Sequence, residues 1–293
     1  MNIFSALKII IKNDLVKITW LIFVFFVGTL YVVQKREEVF AVLSTLNVST
    51  VVLSLFLLTV AKILLSYNQL FSQRMFSQKI SLPTNFYIYN YTQLMKYLPG
   101  VIWQYIGKTG EYRRSGFSSL VSVKIMTIEI VSLIAGSAFA TVFFSIWERG
   151  LESQNDLGIV LIIIVITLII LHKLLSTKKT VFYRMLVPAL ILHLIIWSLI
   201  GTSFNLLLIT EPAHRTLPLL VSTMKLNALS FVIGYISLFA PGGIGVREVV
   251  LAATLPDFGN RALVVAGAHR GLYILAELML FAFSVVLMKQ KKT

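Results

Sequence analysis

The sequence predicts an all-α, polytopic integral membrane protein, and three observations carry that prediction. Hydrophobic residues make up 57% of the 293 positions against 13% charged, with a mean hydropathy of +0.87, a balance outside the range of soluble domains of this size. Apolar runs of about 20 residues, each enough to cross a hydrocarbon core about 30 Å thick, recur along the whole chain. Two of these runs are broken by Pro-Gly sequences, "LPGVI" at 98–102 and "APGGIG" at 240–245. The expectation is one transmembrane domain over residues 1–293, a helical bundle with no segment left for a soluble unit.

Taken in order, the first span is 18–33. It follows Lys8, Lys12 and Lys17 and ends in "VGTLYVVQKREE", which lacks a small-residue cleavage site and so reads as a retained anchor. A second span covers 48–67. Residues 86–107 are interrupted by Lys96, Pro99 and Gly100, so they read as a re-entrant hairpin. Spans at 117–147, 157–175 and 184–209 follow. The stretch 217–255 is long enough for two short helices and breaks at Pro241, Gly242 and Gly243, a second hairpin, and 262–288 is the last span. Six spans plus two broken hairpins result; eight full spans fit the same pattern.

Charge orients the chain. Its 26 Lys and Arg residues exceed 12 Asp and Glu by 14, but they are scattered between apolar runs and form no groove for nucleic acid. Short cytoplasmic loops collect Lys and Arg. With both termini cytoplasmic, 15 basic residues fall inside, including Lys108, Arg113 and Arg114, and six outside: Lys35, Arg36, Arg149, Arg215, Arg247 and Arg261. The absence of cysteine excludes disulfides and thiol chemistry.

The two breaks stand 142 residues apart, and the same offset carries 48–67 onto 190–209 and 117–147 onto 259–289. The order span, broken hairpin, span therefore occurs twice, in halves of about 48–147 and 190–289. Three crossings separate the halves, so the repeat is inverted, as in many secondary transporters.

Ionisable residues at membrane depth are candidates for function because each costs about 2.5–3.5 kcal/mol on insertion scales. Lys62 lies near the inner end of its span and reads as snorkelling to the headgroups. Ser118, Ser122, Ile125, Glu129, Ser132 and Gly136 form one polar stripe; Glu129 is either part of a packing seam or functional. In the last span Arg270, Tyr273 and Glu277, beside His269, face one way, either pinning two helices or holding an anionic headgroup on Arg270 with Glu277 as its balance. His193 and Trp197 read as a satisfied core histidine and a packed aromatic. Broken helices survive at depth only where protein or a wet cavity satisfies their backbone. A helix beginning after Gly245 would present free N–H groups, with Arg247 in its first turn and Glu248 pairing nearby or capping. The first hairpin offers Lys96, Tyr97, Trp103, Gln104 and Tyr105, suited to headgroups or sugar rings, or else to interfacial anchoring. No glycine loop for nucleotides, metal-spaced histidine pair, nucleophile elbow or close carboxylate pair is present, so no catalytic residue, cofactor or metal is assigned.

With "PGGIGVRE", "YLPGVIWQ" and "GKTGEYRR", nearly the whole chain resembles the lysylphosphatidylglycerol synthase transmembrane-region family of flippase-like membrane proteins. Pro241, Gly242, Gly243, Gly245, Arg247 and Glu248 match its more specific motif, and Pro99, Gly100, Trp103 and Gln104 the weaker one, which is associated with surface-glycan synthesis. In the family's larger two-domain members the membrane half is held to move aminoacylated phospholipid between leaflets, and a soluble half makes that lipid. The soluble half has no counterpart in this sequence, so synthase activity does not carry over. The resemblance implies a lipid translocator of a prokaryotic cytoplasmic membrane, handling an anionic lipid or a polyprenyl-phosphate-linked glycan, alongside envelope-synthesis enzymes. A membrane-embedded transferase acting on a lipid carrier, with Glu277, Glu129 or His269 as base, and a non-transporting accessory subunit are the alternatives.

Overall fold

The computed structural model describes residues 14–74, 80–97, 102–149, 179–237 and 239–290. Among them are ten α-helices and no strand: α1 (Asp14–Gln34), α2 (Arg36–Ser44), α3 (Val48–Arg74), α4 (Leu82–Met95), α5 (Ile102–Arg114), α6 (Ser119–Arg149), α7 (Lys179–Leu208), α8 (Leu217–Ile236), α9 (Val246–Ala253) and α10 (Gly259–Gln290). The expected span at 157–175 and the break at Pro99 and Gly100 lie outside the described residues.

Five helices, α3, α6, α7, α8 and α10, are long and apolar enough to cross a membrane, and the chain is read as an integral membrane protein. The stretch Ile18–Gln34 of α1 meets α2 at 85°, and the two taken together make a sixth candidate span. The 14 residues of α4 span about 21 Å at 1.5 Å per residue, short of a hydrocarbon core. The two broken stretches are thus unlike each other. The first is made of α4 and α5, both short; the second pairs the 20-residue α8 with the eight-residue α9. The second span also runs further than 48–67. Asn68, Gln69, Ser72 and Gln73 continue α3 and are buried, because this end of the helix faces other helices and not water.

Helices α3 and α7 pack along most of their length and run antiparallel, since Ser54 near the start of α3 meets Ser203 near the end of α7. Each serine donates to the other's backbone carbonyl, at 3.1 and 3.0 Å. Small and hydroxylated residues at such a seam let backbones approach where no hydrophobic effect drives helices together. Around this pair, α8 packs on α6 and α7, while α10 packs on α4 and α3. Leu58 and Ala61 of α3, Trp197 and Ile200 of α7, Ala228 of α8 and Tyr273 and Ala276 of α10 form a shared core with Tyr89 of α4 and Ala140 and Phe144 of α6.

Gly201 sits where α7 meets the backbone of α8: a Cβ there would collide with the Cα and N of Met224. Gly201→Leu is expected to force the helices apart at a cost of about 1–3 kcal/mol or more. The check is thermal unfolding in detergent, where the variant should melt several degrees lower, with Gly267→Ala, which meets no atom within 4 Å, as the control.

Candidate functional site

A cavity of about 150 Å³ opens between α3, α4, α5, α6, α7, α8 and the turn Pro241–Gly243, with Tyr273 of α10 in its wall. Four cations line it, Lys62, Lys96, Lys108 and Arg247. Tyr273 lies near the midpoint of the 32-residue α10, so the cluster sits near mid-depth of the longest helix.

The turn owes its shape to glycine. Gly242, Gly243 and Gly245 have φ of +61°, +71° and +85°, left-handed conformations that other residues adopt only with strain. A Cβ on Gly242 would stand 3.3 to 3.6 Å from Arg270 Nη2, Lys96 Cγ and Tyr97 Cε1, so the second break meets the first hairpin here. Arg270 Nη2 donates to Gly242 O at 2.7 Å, satisfying a carbonyl that the broken helix leaves over. Glu248 Oε2 accepts from Gly245 N at 2.7 Å and caps α9. On the outer flank, Trp20 of α1 donates to Ile244 O at 3.1 Å and packs edge-on against Phe239.

Arg247, in the first turn of α9, threads its aliphatic stem between Gly234 and Gly243. Its guanidinium lies 5.2 Å from the Phe231 ring centre and 5.4 Å from that of Tyr273. Lys62 at 3.5 Å, Lys96 at 5.5 Å and Arg270 at 5.5 Å surround the same Tyr273 ring, whose electron-rich face attracts cations. Glu277 Oε1 pairs with both Lys62 and Lys96, and its Oε2 accepts from Tyr97 at 2.8 Å. On the facing wall Glu129 holds Lys108 at 2.5 Å and accepts from Tyr112. The Tyr112 hydroxyl leads through Gln73 and Asn85 to Gln69, back at the cavity. Tyr105 and Tyr235 join α5 to α8 through their hydroxyls at 2.9 Å.

Of the residues expected from sequence, Lys96, Gln104, Glu129 and Arg247 line the cavity, and Glu248, Arg270 and Glu277 lie directly behind its wall. Trp103 does not join them: its side chain is 49% exposed on the outside of α5. The expected balance of Arg270 by Glu277 is replaced by other partners, Glu277 taking two lysines and Arg270 standing 3.8 Å from Glu248. Lys62 does not snorkel; it is 2% exposed because its α3 face turns inward onto Glu277 and Tyr273. His193 is buried as expected but neither ring nitrogen has a partner. Lys96 of the first broken stretch and Arg247 of the second share one cavity. Lys108, assigned to a cytoplasmic loop, is buried on Glu129.

Sequence reading placed Lys62 at the headgroups and Lys108 in a loop, and did not single out the polar end of α3. A signal was present: Lys62, Ser66, Gln69 and Gln73 follow a 4-3-4 spacing, which puts all four on one helix face. Trp197 was read as packing alone, yet it lines the cavity with its Nε1–H unpartnered.

No family model matches the chain, and the search of curated proteins finds no match.

Proposed function

We propose that the chain is a flippase-like membrane translocator, akin to the lysylphosphatidylglycerol synthase transmembrane-region family, and moves an anionic lipid or lipid-linked glycan precursor between leaflets. The observation that carries this reading is the buried cavity at mid-depth, lined by Lys62, Lys96, Lys108 and Arg247 and bounded by both broken hairpins. Carrying a headgroup through hydrocarbon requires a place where its charge is met by fixed opposite charge while its tails stay in lipid. At about 150 Å³ the cavity is below the roughly 300–1,000 Å³ of sites that enclose a whole small molecule, so it takes a headgroup and leaves the tails outside. Ile106 and Ile236, next to the bridging tyrosines Tyr105 and Tyr235, are exposed and offer apolar surface for such tails.

The inverted repeat belongs to the same reading. At the offset of 142, α4 and α5 fall on α8 and α9, α3 on α7, and α6 on α10. Contacts recur with the elements: α4 packs on α10 as α8 packs on α6, and α5 packs on α6 as α9 packs on α10. Tyr89 and Phe231, Gln93 and Tyr235, and Tyr105 and Arg247 occupy equivalent positions around one cavity. The eight residues of α9 cover only about 12 Å, too few to cross alone, so the second stretch is read as a broken pair with the 20-residue α8 as its long arm. In this scheme both termini are cytoplasmic, and the membrane is the prokaryotic cytoplasmic one.

The transferase alternative fits the site less well. Both oxygens of Glu277 and of Glu129 already accept from lysines and tyrosines, so a substrate proton has to compete with these partners for either carboxylate. His269 bonds Ser203 at 3.2 Å away from the cavity lining. The test is transfer of headgroup-labelled lipids in proteoliposomes: protein-dependent exchange of an anionic lipid is the expected result. Exchange no faster than in protein-free vesicles, across phospholipids and polyprenyl phosphates, overturns the reading.

A further inference from the structure

The charges around the cavity do not balance, and the imbalance identifies the headgroup class. Five cations gather there, Lys62, Lys96, Lys108, Arg247 and Arg270, against three carboxylates, Glu129, Glu248 and Glu277. Glu129 answers Lys108, Glu248 stands nearest Arg270, and Glu277 is shared between Lys62 and Lys96. One charge of that lysine pair therefore remains over. Arg247 is the second: among the described residues its guanidinium meets aromatic rings and no carboxylate. Other carboxylates are engaged elsewhere, Glu38 with Lys35, Glu111 with Arg114, Glu148 with Lys225 and Glu211 with His214. Lys62 and Arg247 are only 2% and 7% exposed, and unbalanced charge at such depth is strongly unfavourable unless a ligand supplies the counter-charge or the group gives up its proton, which a lysine can do and an arginine cannot.

A second, independent observation lies in the wall of the same cavity. The Trp197 indole N–H, on a side chain 1% exposed, has no acceptor, and Asn68 Oδ1 and Gln69 Oε1 have no donor; all three residues line the cavity. Buried polar groups left unpaired are uncommon and mark a missing partner. The three atoms are themselves covered, so a headgroup oxygen or a water reaches them only as neighbouring side chains give way.

We propose that this cavity selects a headgroup bearing two negative charges, the phosphomonoester or diphosphate of a lipid, over the singly charged phosphodiester of ordinary phospholipids. This rests on reading the cavity as a headgroup site. A phosphodiester leaves one of the two surplus cations unanswered; a terminal phosphate, with about −1.5 to −2 charges at neutral pH, answers both. Arg247 and the Lys62–Lys96 pair hold its oxygens around the Tyr273 ring.

Methyl phosphate and dimethyl phosphate differ by one methyl group and one charge, and their binding to the full-length protein in detergent at pH 8 can be compared by calorimetry. The expected result is methyl phosphate bound at least tenfold more tightly, with the ratio falling below threefold in Arg247→Gln. If that variant does not fold, the wild-type pH profile serves instead: methyl phosphate affinity is expected to fall below about pH 6, as its second proton returns, while dimethyl phosphate affinity stays flat. In nanodiscs, phosphatidic acid is expected to displace methyl phosphate and phosphatidylglycerol is not. Equal affinity for the two soluble esters overturns the charge selectivity and leaves the headgroup reading standing. Failure of phosphatidic acid to compete assigns the site to free phosphate and overturns its lipid source. Absence of binding by either ester and by either lipid overturns the headgroup reading itself.

Discussion

Glu277→Gln is expected to be the most damaging single substitution in the protein. The carboxylate is 1% exposed and is the shared counter-ion of Lys62 and Lys96 as well as the acceptor for Tyr97. Removing one member of a buried ion pair costs about 3–5 kcal/mol because the remaining charge is left buried and uncompensated, and here two ammonium groups lose their partner together. A melting temperature lower by on the order of 10 °C in detergent follows, with translocation lost. Lys62→Met alone keeps the Lys96–Glu277 pair and is expected to be mild. Lys62→Met combined with Glu277→Gln returns the cluster to its original net charge and should recover most of the stability, so the pair is non-additive. A Glu277→Gln protein that melts and transports like wild type would remove the ion cluster from any account of the fold.

The long elements were legible because their signal is simple: five of the runs of apolar residues became helices α1, α3, α6, α7 and α10, with α3 running seven residues past its expected end, as hydrocarbon admits no other unpaired backbone solution. Partner choice was not legible. Arg270, Tyr273 and Glu277 were placed on one face by spacing along a single helix, but which charge answers Glu277 depends on how α3 and α4 dock against α10, and intrahelical spacing is silent on that. Lys62 was misread for a related reason. Depth within a span distinguishes snorkelling from burial only when the face is known, and the polar face 62, 66, 69, 73 turns inward. Likewise the positive-inside count assigned Lys108 to a loop because that count weighs charge near span ends and not pairing, whereas Glu129 draws it into the bundle. Motif reading did better where backbone geometry is demanding. The glycines of "PGGIG" are needed at positive φ, and the residues after them begin a helix capped by Glu248.

Gly234→Ala is expected to abolish translocation while leaving the fold in place. Gly234 lies two residues from the end of α8, and a Cβ there would occupy the space of Arg247 Cγ, with Cδ at 3.1 Å. The other flank of the stem is the Gly243 backbone, whose Cα lies 3.5 Å from the position of that added Cβ. The guanidinium must therefore leave its position over Phe231 and Tyr273. Replacing glycine by alanine in a helix contributes up to about 1 kcal/mol of stability, which offsets the local crowding and keeps the melting temperature near that of wild type. Transport of an anionic lipid is expected to fall at least tenfold, since the cation is displaced from the ligand and not merely weakened. Gly271→Ala, whose Cβ meets no atom within 4 Å, is the matched control and should transport normally. Adding Gly234→Ala to Arg247→Gln should cause little further loss, because both changes remove the same charge from the same place. Full transport by Gly234→Ala beside an inactive Arg247→Gln would mean that Arg247 works from some other position than the glycine slot.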